Sequence, residues 1–364
     1  MEFNSLLRTP AEWMNTAGPQ SDIVVTSRIR LARNVAGYSF PGWSKKSERA
    51  DLLENLRPHI EELTEMGDPF SKELKQLDAI KKQFLVERHL ISREHAAKSV
   101  GSAAIINAPQ TLSIMVNEED HLRMQAILPG LQLVEAYDFL DAVDSKLENH
   151  VSYAYDNRWG YLTACPTNLG TGMRASAMLH LPALVLDEQI NQVIQAVNKI
   201  GLAVRGLYGE GTEALANLFQ VSNQSTLGES EPDIITKLGK VISQMIEHEQ
   251  NARNKLLEEK AHVLFDHISR AYAILRHAHI LPSKEALNHL SMLRLGIDLG
   301  FFAKEEQKLI DVLLMEIQPA HLQIEARRKL GAEDRDQIRA EIMRRRLKTF
   351  PSPDIVEDPP GESA

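Results

Sequence analysis

The chain has 364 residues, 43% of them hydrophobic, and carries a formal net charge of −9 with a pI near 5.8. A chain of this length can bury a full hydrophobic core and is long enough for two domains. The acidic balance argues against a general role in binding nucleic acid or a membrane surface, although a local basic cluster could still act against that background.

The single cysteine and the apolar patterning narrow the expected location. Cys165 is the only cysteine, which excludes an internal disulfide and a zinc site built from several cysteines. No apolar run reaches the length of a transmembrane span, and residues 1–10 lack the basic-then-apolar pattern of a signal peptide. We therefore expect a cytoplasmic protein that binds neither membrane nor nucleic acid.

Short strand-like runs and amphipathic stretches fill the first two-thirds of the chain. The predicted strands cover residues 22–30, 84–91, 103–107, 112–117, 160–165, 202–207 and 218–223. Helical patterns cover residues 45–82, 131–150, 174–181 and 187–200. Because strands and helices rarely alternate strictly, the pattern favours an antiparallel or mixed sheet flanked by helices, an α+β fold.

The composition changes at about Glu231, where strand signals stop and Glu, Lys, Arg, Leu and Ala dominate. The pattern predicts helices over 233–260, 261–279, 283–295, 303–317 and 332–348. This region is predicted to be a separate all-α domain. Residues 351–364 are rich in proline and acids and are predicted to be a disordered tail.

Arginines recur at the edges of the predicted strands and loops, and two of these segments carry glycine-framed turns. The arginines are Arg28, Arg30, Arg33, Arg123, Arg174 and Arg205. Guanidinium groups pair bidentately with phosphate, so the pattern indicates a polyphosphate or nucleotide site. A glycine-rich loop ending in Gly-Lys-Ser/Thr is absent, as are the His-Arg-Asp and Asp-Phe-Gly motifs of ordinary protein kinases. A kinase with this sequence would hold its phosphates through arginine side chains.

Four segments resemble the signature segments of the phosphagen (guanidino) kinases and occur in the family order. They are residues 27–34, 117–123, 165–176 and 205–210. The resemblance implies a phosphagen-kinase-type catalytic domain over 22–255, preceded by an N-terminal segment, 1–21, and followed by a helical domain, 256–350.

The resemblance has one departure. Small-substrate members of the family place a large helical domain before the first signature, whereas 21 residues precede Asp22 here. The helical extension, with Arg-Asp-Gln-Ile-Arg-Ala at 335–340, resembles the bacterial protein arginine kinases instead. We expect a substrate too large to be enclosed by a lid.

The resemblance assigns an ATP site residue by residue. Its members are Thr26, Ser27, Arg28, Ile29, Arg30, His89, Arg123, Arg174, Ala175, Ser176, Ala177, Met178, Arg205, Gly206, Leu207, Tyr208 and Gly209. Taken singly, each arginine could equally be a surface residue or a salt-bridge partner, and a lone His89 in a strand is more often structural. The joint pattern favours phosphate binding.

The acceptor guanidinium has a very high pKa, so it must be oriented and relieved of a proton as it attacks. The resemblance assigns this work to Glu210 and Glu119, with Cys165 beside the reactive nitrogen. Glu210 could otherwise balance Arg205, Glu119 could belong to an acidic helix start, and Cys165 could be a small buried hydrophobe. No set of metal ligands stands out, so we expect Mg²⁺ to be held by ATP and water.

The motif at 335–340 implies a second, allosteric site that binds phosphoarginine through Arg335, Asp336, Arg339 and Ala340. Ordinary pairing within one helix explains the same spacing, and periodicity does not decide between the two.

The expected activity is ATP-dependent phosphorylation of protein arginines in stress response, marking proteins for Clp-type proteolysis. The expected partners are protein substrates, a zinc-binding activator, a heat-shock repressor, a Clp ATPase and further copies of the chain. Two alternatives remain: a kinase of small guanidino compounds, and a phosphoarginine-binding adaptor with little catalysis. Intact Glu119, Cys165 and Glu210 weigh against the adaptor.

Overall fold

The computed structural model describes residues 1–15, 18–206 and 214–354. They divide into two compact units. The sheet unit comprises residues 1–179, 196–204 and 220–243, and the helical unit comprises the described residues of 180–195, 205–219 and 244–364. The sequence predicts the change of domain at 255–256, whereas the last division between the units falls at 243–244.

The centre of the sheet unit is an eight-stranded sheet with strand order β2-β3-β4-β5-β1-β8-β10-β9. The five pairs from β2 to β8 are antiparallel. The strands are β1 Val24–Arg33, β2 Phe70–Glu73, β3 Ala103–Ile106, β4 Leu112–Val116, β5 Leu122–Pro129, β8 Met173–His180, β9 Leu202–Gly206 and β10 Leu218–Asn223, with a separate hairpin of β6 Tyr155–Asp156 and β7 Gly160–Tyr161. The predicted α+β class and antiparallel sheet are confirmed.

Helices flank the sheet and make up the C-terminal region. Those before residue 200 are α1 Phe3–Arg8, α2 Glu12–Asn15, α3 Lys46–Glu61, α4 Ala79–Glu87, α5 Arg93–Ala96, α6 Leu133–Glu148, α7 Pro182–Leu186 and α8 Ile190–Lys199. The later ones are α9 Glu231–His277, α10 Ser283–Asp298, α11 Gln307–Glu316, α12 Pro319–Glu325 and α13 Ala332–Arg346. The backbone of α9 is non-helical at Lys260, where the sequence predicts the break between two helices. Within the described ranges, no helix has the length and apolar character needed to cross a membrane.

Helix α6 covers one part of the sheet for a reason visible in its sequence. Its buried residues recur every three or four positions and include Leu133, Ala136, Leu140, Val143 and Leu147. That spacing forms one apolar stripe, which packs against β1 and β5.

Several elements differ from the sequence prediction. The stretch 45–82 is predicted to be helical, but it contains the end of α3 at Glu61 and strand β2. Residues 174–181 are predicted as a helix but lie mostly in β8, and 84–91 are predicted as a strand but begin inside α4. Strand β5 was not predicted at all. Both β5 and β8 are rich in Ala, Met and Leu, which favour helices on intrinsic propensity. Their burial between neighbouring strands overrides that preference.

The sixth arginine of the pattern, Arg33, stabilises the fold. It lies five positions after Arg28 in β1, and therefore on the opposite face of the sheet. Its guanidinium pairs with buried Asp144 at 2.6 Å and lies 3.5 Å from the centroid of the Tyr161 ring. It also donates to the Thr171 carbonyl at 2.9 Å. Arg33 thus joins the end of β1 to α6 and to the segment leading into β8.

Asp144→Ala is expected to lower the free energy of unfolding by about 3–5 kcal/mol, because it leaves the buried Arg33 charge without its carboxylate. Urea unfolding followed by circular dichroism measures the change. Asp141→Ala, at an exposed position of the same helix, is the control and should stay within about 0.5 kcal/mol of the wild type. Equal, small changes in both variants would contradict a stabilising role for the pair.

Candidate active site

Strand register brings four guanidiniums to one face of the sheet. Arg28 and Arg30 are two positions apart in β1 and so point to the same side. Arg30 lies directly opposite Arg174 of β8, and Ala32, on the same side, lies opposite Arg123 of β5. Four positive side chains that are distant in sequence therefore converge.

Two cavities open on this face. The Trp13 cavity, of about 10 Å³, is lined by Trp13, Thr26, Arg28, His89, Ile127, Ser176, Ala177, Met178 and Gln220. The Cys165 cleft, of about 150 Å³, is lined by Arg30, Leu31, Ala32, Glu118, Glu119, Asp120, Arg123, Cys165, Thr167, Asn168, Gly172 and Arg174. Along β1, Thr26 and Arg28 line the Trp13 cavity, and Arg30 and Ala32 line the Cys165 cleft.

The electrostatics of the cluster favour a bound polyanion. Burial lowers the pKa of Arg28 to about 10, helped by the neighbouring charges of Arg123 and Arg174. The pKa of Arg30 is also lowered well below its usual value, by burial first and then by Arg28, Arg123 and Arg174. Within the described ranges, the buried Nε of Arg30 has no hydrogen-bond partner. Phosphate oxygens would supply both the missing acceptors and the missing negative charge.

Two polar residues of β10 orient these arginines. Arg28 Nη2 donates to Gln220 Oε1 at 3.0 Å, and Arg174 Nη2 donates to Ser222 Oγ at 3.2 Å. A guanidinium held by neighbouring side chains loses less rotamer freedom when it binds a phosphate. The cluster is therefore partly organised in advance.

Glu118 anchors Arg123 and was not singled out from the sequence. Its Oε1 accepts from Arg123 Nη1 at 2.5 Å and from Ser92 Oγ at 2.5 Å, and the residue is 1% exposed. Burial acts to raise the pKa of Glu118, but the Arg123 charge and the hydrogen bonds outweigh it and lower the pKa to about 2. Glu118 stays ionised and acts as a counter-ion to Arg123.

Glu119, by contrast, has a solvent-exposed side chain that a second reactant can contact. It lies in the tight turn between β4 and β5, so the helix start considered from the sequence is wrong. The side chain is exposed at the edge of the Cys165 cleft. Partial burial, followed by the charges of Asp120 and Glu118, raises its pKa above the ordinary glutamate value. A carboxylate of raised pKa is a better proton acceptor.

Cys165 lines the same cleft, immediately before a short 3₁₀ turn, Pro166–Asn168. Its Sγ lies 3.0 Å from Thr167 Oγ1. The preceding backbone is held by Asp120, whose Oδ1 accepts from Ala164 N at 2.7 Å and from Asn34 Nδ2 at 2.6 Å. The turn that carries Glu119 is thus hydrogen-bonded to the segment that carries Cys165.

His89 faces the Trp13 cavity from a turn, and its prediction as a strand residue is wrong. The residue follows α4 with a φ of +59°, a left-handed conformation uncommon outside glycine. Burial, followed by the Arg28 charge, lowers the pKa of His89 to about 3. The imidazole is therefore neutral at physiological pH.

The remaining predicted ATP-site residues fall into three groups. Thr26, Ser176, Ala177 and Met178 line the Trp13 cavity. Ser27, Ile29 and Ala175 alternate with the cavity-facing residues, so their side chains point to the other side of the sheet. Arg205 and Gly206 belong to the helical unit, whereas Leu207, Tyr208, Gly209 and the predicted catalytic Glu210 lie outside the described residues.

The sequence matches two family models. Residues 52–252 match the model of the ATP:guanido phosphotransferase C-terminal catalytic domain. Residues 261–358 match the model of the C-terminal domain of the protein-arginine kinase McsB. The first match alone spans more than half of the chain. The chain belongs to the ATP:guanido phosphotransferase family.

Relatives in the family match along nearly the whole chain. A protein-arginine kinase of Halalkalibacterium halodurans is 48% identical over 339 residues, covering 92% of this chain and 95% of the relative. A protein-arginine kinase of Geobacillus thermodenitrificans is 45% identical over 351 residues, covering 96% and 97%. The chain is thus a phosphotransferase of a family that uses ATP.

Two solved kinase structures have a similar fold. A lombricine kinase superposes with a TM-score of 0.56 at 24% identity, covering 66% of this chain and 71% of that chain. The duplicated taurocyamine kinase of Schistosoma mansoni, with bound transition-state analogue components, gives a TM-score of 0.54 at 25% identity, covering 64% of this chain and 33% of that chain. The chain therefore shares its fold with these two kinases.

The four residues that are predicted to bind phosphoarginine lie on α13. Arg339 is 1% exposed, with Nη1 donating to Asp336 Oδ1 at 2.6 Å and to the Leu281 carbonyl at 2.8 Å. Arg335 donates to the Leu330 carbonyl at 3.0 Å, and Ala340 is buried. The intrahelical pair considered from the sequence is therefore present between Asp336 and Arg339.

Sequence reasoning missed several residues around the family site: Trp13, Asn34, Glu118, Asp120 and Gln220. Glu118 and Asp120 flank Glu119 in a recognised signature, so proximity in sequence could have suggested them. Trp13 and Gln220 reach the site only through tertiary contacts, and no local pattern marks them.

Among the described residues, no group of three or more His, Cys, Asp or Glu side chains could hold a metal ion. The described side chains therefore do not fit a dedicated magnesium site.

Proposed function

We propose that this phosphotransferase transfers the γ-phosphoryl group of ATP to arginine side chains of proteins. The observation that carries the proposal is the row of four guanidiniums on one sheet face, which ends at an exposed carboxylate, Glu119. The arginines suit a polyphosphate, and the carboxylate suits a cationic acceptor. Support for a protein acceptor comes from relatives at 45–48% identity that are protein-arginine kinases.

In the proposed reaction, Arg28, Arg30, Arg123 and Arg174 hold the phosphates and offset the charge that spreads over the transferring group. Glu119 pairs with the acceptor guanidinium and turns one nitrogen towards the γ-phosphorus. As the N–P bond forms, the bond from the γ-phosphorus to the β,γ-bridging oxygen breaks. ADP leaves with the electron pair, and Glu119 accepts the proton from the nitrogen.

Two further groups complete the proposed site. Glu210, assigned by the family resemblance, would be a second carboxylate on the acceptor. Cys165 lines the cleft together with Arg30 and Arg174, and its Sγ would lie beside the acceptor. Mg²⁺ is proposed to arrive with ATP, held by phosphate oxygens and water, and would reduce the charge on the phosphates.

Comparison of initial rates tests the choice of acceptor. Casein should be phosphorylated far faster than free arginine or creatine at equal guanidinium concentration. Comparable turnover of a free guanidino compound would make this a small-molecule guanidino kinase. Binding of phosphoarginine-containing protein without any turnover would make it an adaptor.

We further propose a phosphoarginine site on α13, formed by Arg335, Asp336, Arg339 and Ala340. Its support is the match of residues 261–358 to the McsB C-terminal domain model and the side chain of Asp336, which remains 27% exposed. Because Arg339 is hydrogen-bonded to backbone carbonyls, it would position Asp336. Asp336 and Arg335 would contact the ligand.

Asp336→Ala in the full chain is expected to abolish phosphoarginine binding and to leave ATP binding intact. Isothermal titration calorimetry with each ligand measures both. Glu333→Ala, an exposed acid on the first turn of the same helix, is the control. If Asp336 only pairs with Arg339, phosphoarginine affinity should not change and only the melting temperature should fall.

The wider role is also a proposal, supported by the family resemblance alone. We propose a cytoplasmic enzyme of the stress response that marks proteins for Clp-type proteolysis. Its partners would be a zinc-binding activator, a heat-shock repressor, a Clp ATPase and further copies of the chain. Phosphoarginine bound at α13 would then regulate the enzyme allosterically.

A further inference from the structure

The segment that follows β10 is hydrogen-bonded to one wall of the Cys165 cleft. This cleft wall is the stretch 165–172, four residues of which line the cleft. Thr226 Oγ1 donates to two of its carbonyls, at 2.9 Å to Thr167 and at 2.7 Å to Leu169. The Thr226 carbonyl in turn accepts from Thr171 N at 3.0 Å. Because Thr226 is only 4% exposed, water competes little for these bonds.

The backbone of the cleft wall fits closely against Thr226. Gly170 has a φ of +105°, in the left-handed region that favours glycine. A Cβ at Gly170 would also collide with the Thr226 carbonyl oxygen. Glycine at this position therefore permits both the turn of the wall and its approach to Thr226.

A short series of contacts connects the Thr226 hydroxyl to the thiol of Cys165. The Thr167 carbonyl accepts from Thr226, and Thr167 Oγ1 lies 3.0 Å from Cys165 Sγ. The Cys165 carbonyl accepts from Thr163 Oγ1 at 2.8 Å and from Asn168 N at 3.0 Å. The direction of the thiol thus depends on the backbone of the turn, and Thr226 holds that backbone from outside the cleft.

The same stretch of chain, residues 220–226, also orients two of the phosphate-face arginines. Gln220 accepts from Arg28, and Ser222 accepts from Arg174. Four residues after Ser222, Thr226 reaches the cleft wall. Residues 220–226 therefore contact both the groups that suit the phosphate donor and the wall that carries Cys165. One segment thereby fixes the two sides of the site relative to each other.

We propose that Thr226 is a positioning residue of the kinase, which fixes the cleft wall so that Cys165 and Asn168 border the acceptor guanidinium. The proposal rests on the proposed acceptor site and adds to it a residue that contacts neither substrate. Misplacement of a reacting group by about 1 Å can slow a reaction about 100-fold. Loss of the Thr226 hydroxyl should therefore slow transfer without weakening the binding of ATP.

The kinetics of Thr226→Val test this role, because valine has the branched shape of threonine but lacks its hydroxyl donor. The variant should lower kcat with casein about tenfold and leave KM for ATP within about twofold of the wild type. Thr226→Ser keeps the hydroxyl and should recover kcat to within about threefold of the wild type. Thr236→Val, at an exposed threonine of α9, is the control and should behave as the wild type.

Alkylation by iodoacetamide reports on the cleft wall without catalysis, because Cys165 is the only cysteine. Thr226→Val should speed alkylation of the native protein at least about threefold, since a released turn gives the reagent better access to the thiol. Thr226→Ser and Thr236→Val should react as the wild type does. In denaturant all four proteins should react at one rate, because the difference belongs to the folded wall.

The outcomes separate this proposal from the proposed function. A wild type that phosphorylates no casein arginine would overturn the proposed function, while the alkylation rates would still decide whether Thr226 holds the wall. Wild-type kcat and a wild-type alkylation rate in Thr226→Val would overturn only the role of Thr226. A parallel loss of ATP binding in Thr226→Val would also overturn it, since the hydroxyl would then support the fold as a whole.

Discussion

Replacing Arg30 with alanine is expected to lower kcat/KM for ATP by about a thousandfold, the scale of losing a charged group that stabilises a transferring phosphoryl. Arg30 lies at the centre of the row, opposite Arg174 and two positions from Arg28. Its buried Nε is unpaired among the described residues, and its charge is destabilised by burial and by its neighbours. Steady-state kinetics with casein as the acceptor measures the change.

Two companion variants make the Arg30 result specific. Arg30→Lys keeps the positive charge but loses the planar fork, so it should recover only part of the activity. Arg158→Ala, at an exposed position of the β6–β7 hairpin, should behave as the wild type. If Arg30→Ala retained kcat/KM within about threefold, Arg30 would not contact the transferring group.

Glu119→Gln is expected to lower kcat by at least about 100-fold, the scale of a positioned general base, with ATP affinity nearly unchanged. Glutamine keeps the shape of the side chain and removes its capacity to accept a proton. Glu94→Gln, an exposed carboxylate on neighbouring α5, is the control. A parallel loss of ATP binding in Glu119→Gln would indicate that Glu119 chiefly positions Arg123.

Glu119 should also set the acid limb of the pH profile of kcat. Glu119 must be ionised to accept a proton, and burial, Asp120 and Glu118 raise its pKa. The fall of kcat towards acid should therefore be centred above the ordinary glutamate pKa. The limb should disappear from the residual activity of Glu119→Gln. A limb that persists unchanged in that variant belongs to another group.

The sequence predicted the shared face of Arg28 and Arg30 better than it predicted the strands beside it. Alternation in β1 is enough to put Arg28 and Arg30 on one side, and the structure has that strand at Val24–Arg33. Their neighbours Arg123 and Arg174 lie on strands that were missed or taken for a helix. Ala, Met and Leu in β5 and β8 favour helices locally, and only pairing with β1 determines their conformation.

Sequence reasoning was limited in the same way for the residues around the proposed acceptor site. Glu119 could be chosen from its acidic neighbours only by family resemblance, because nothing local distinguishes it from Glu118. The structure separates the two by burial: Glu118 is 1% exposed and paired with Arg123, while Glu119 is exposed. Trp13 was beyond sequence reasoning, since its place depends on hydrogen bonds from Arg88 and Gln110 to the N-terminal backbone.

The most direct test of the central claim is phosphosite mapping of casein after incubation with the enzyme and ATP. Mass spectrometry must be run without acid exposure, because the P–N bond of phosphoarginine is acid-labile. Phosphate is expected on casein arginines, and it should be lost on acid treatment and nearly absent with Arg30→Ala. Phosphate confined to serine, threonine or tyrosine, or no transfer by the wild type, would show that the protein is not a protein arginine kinase.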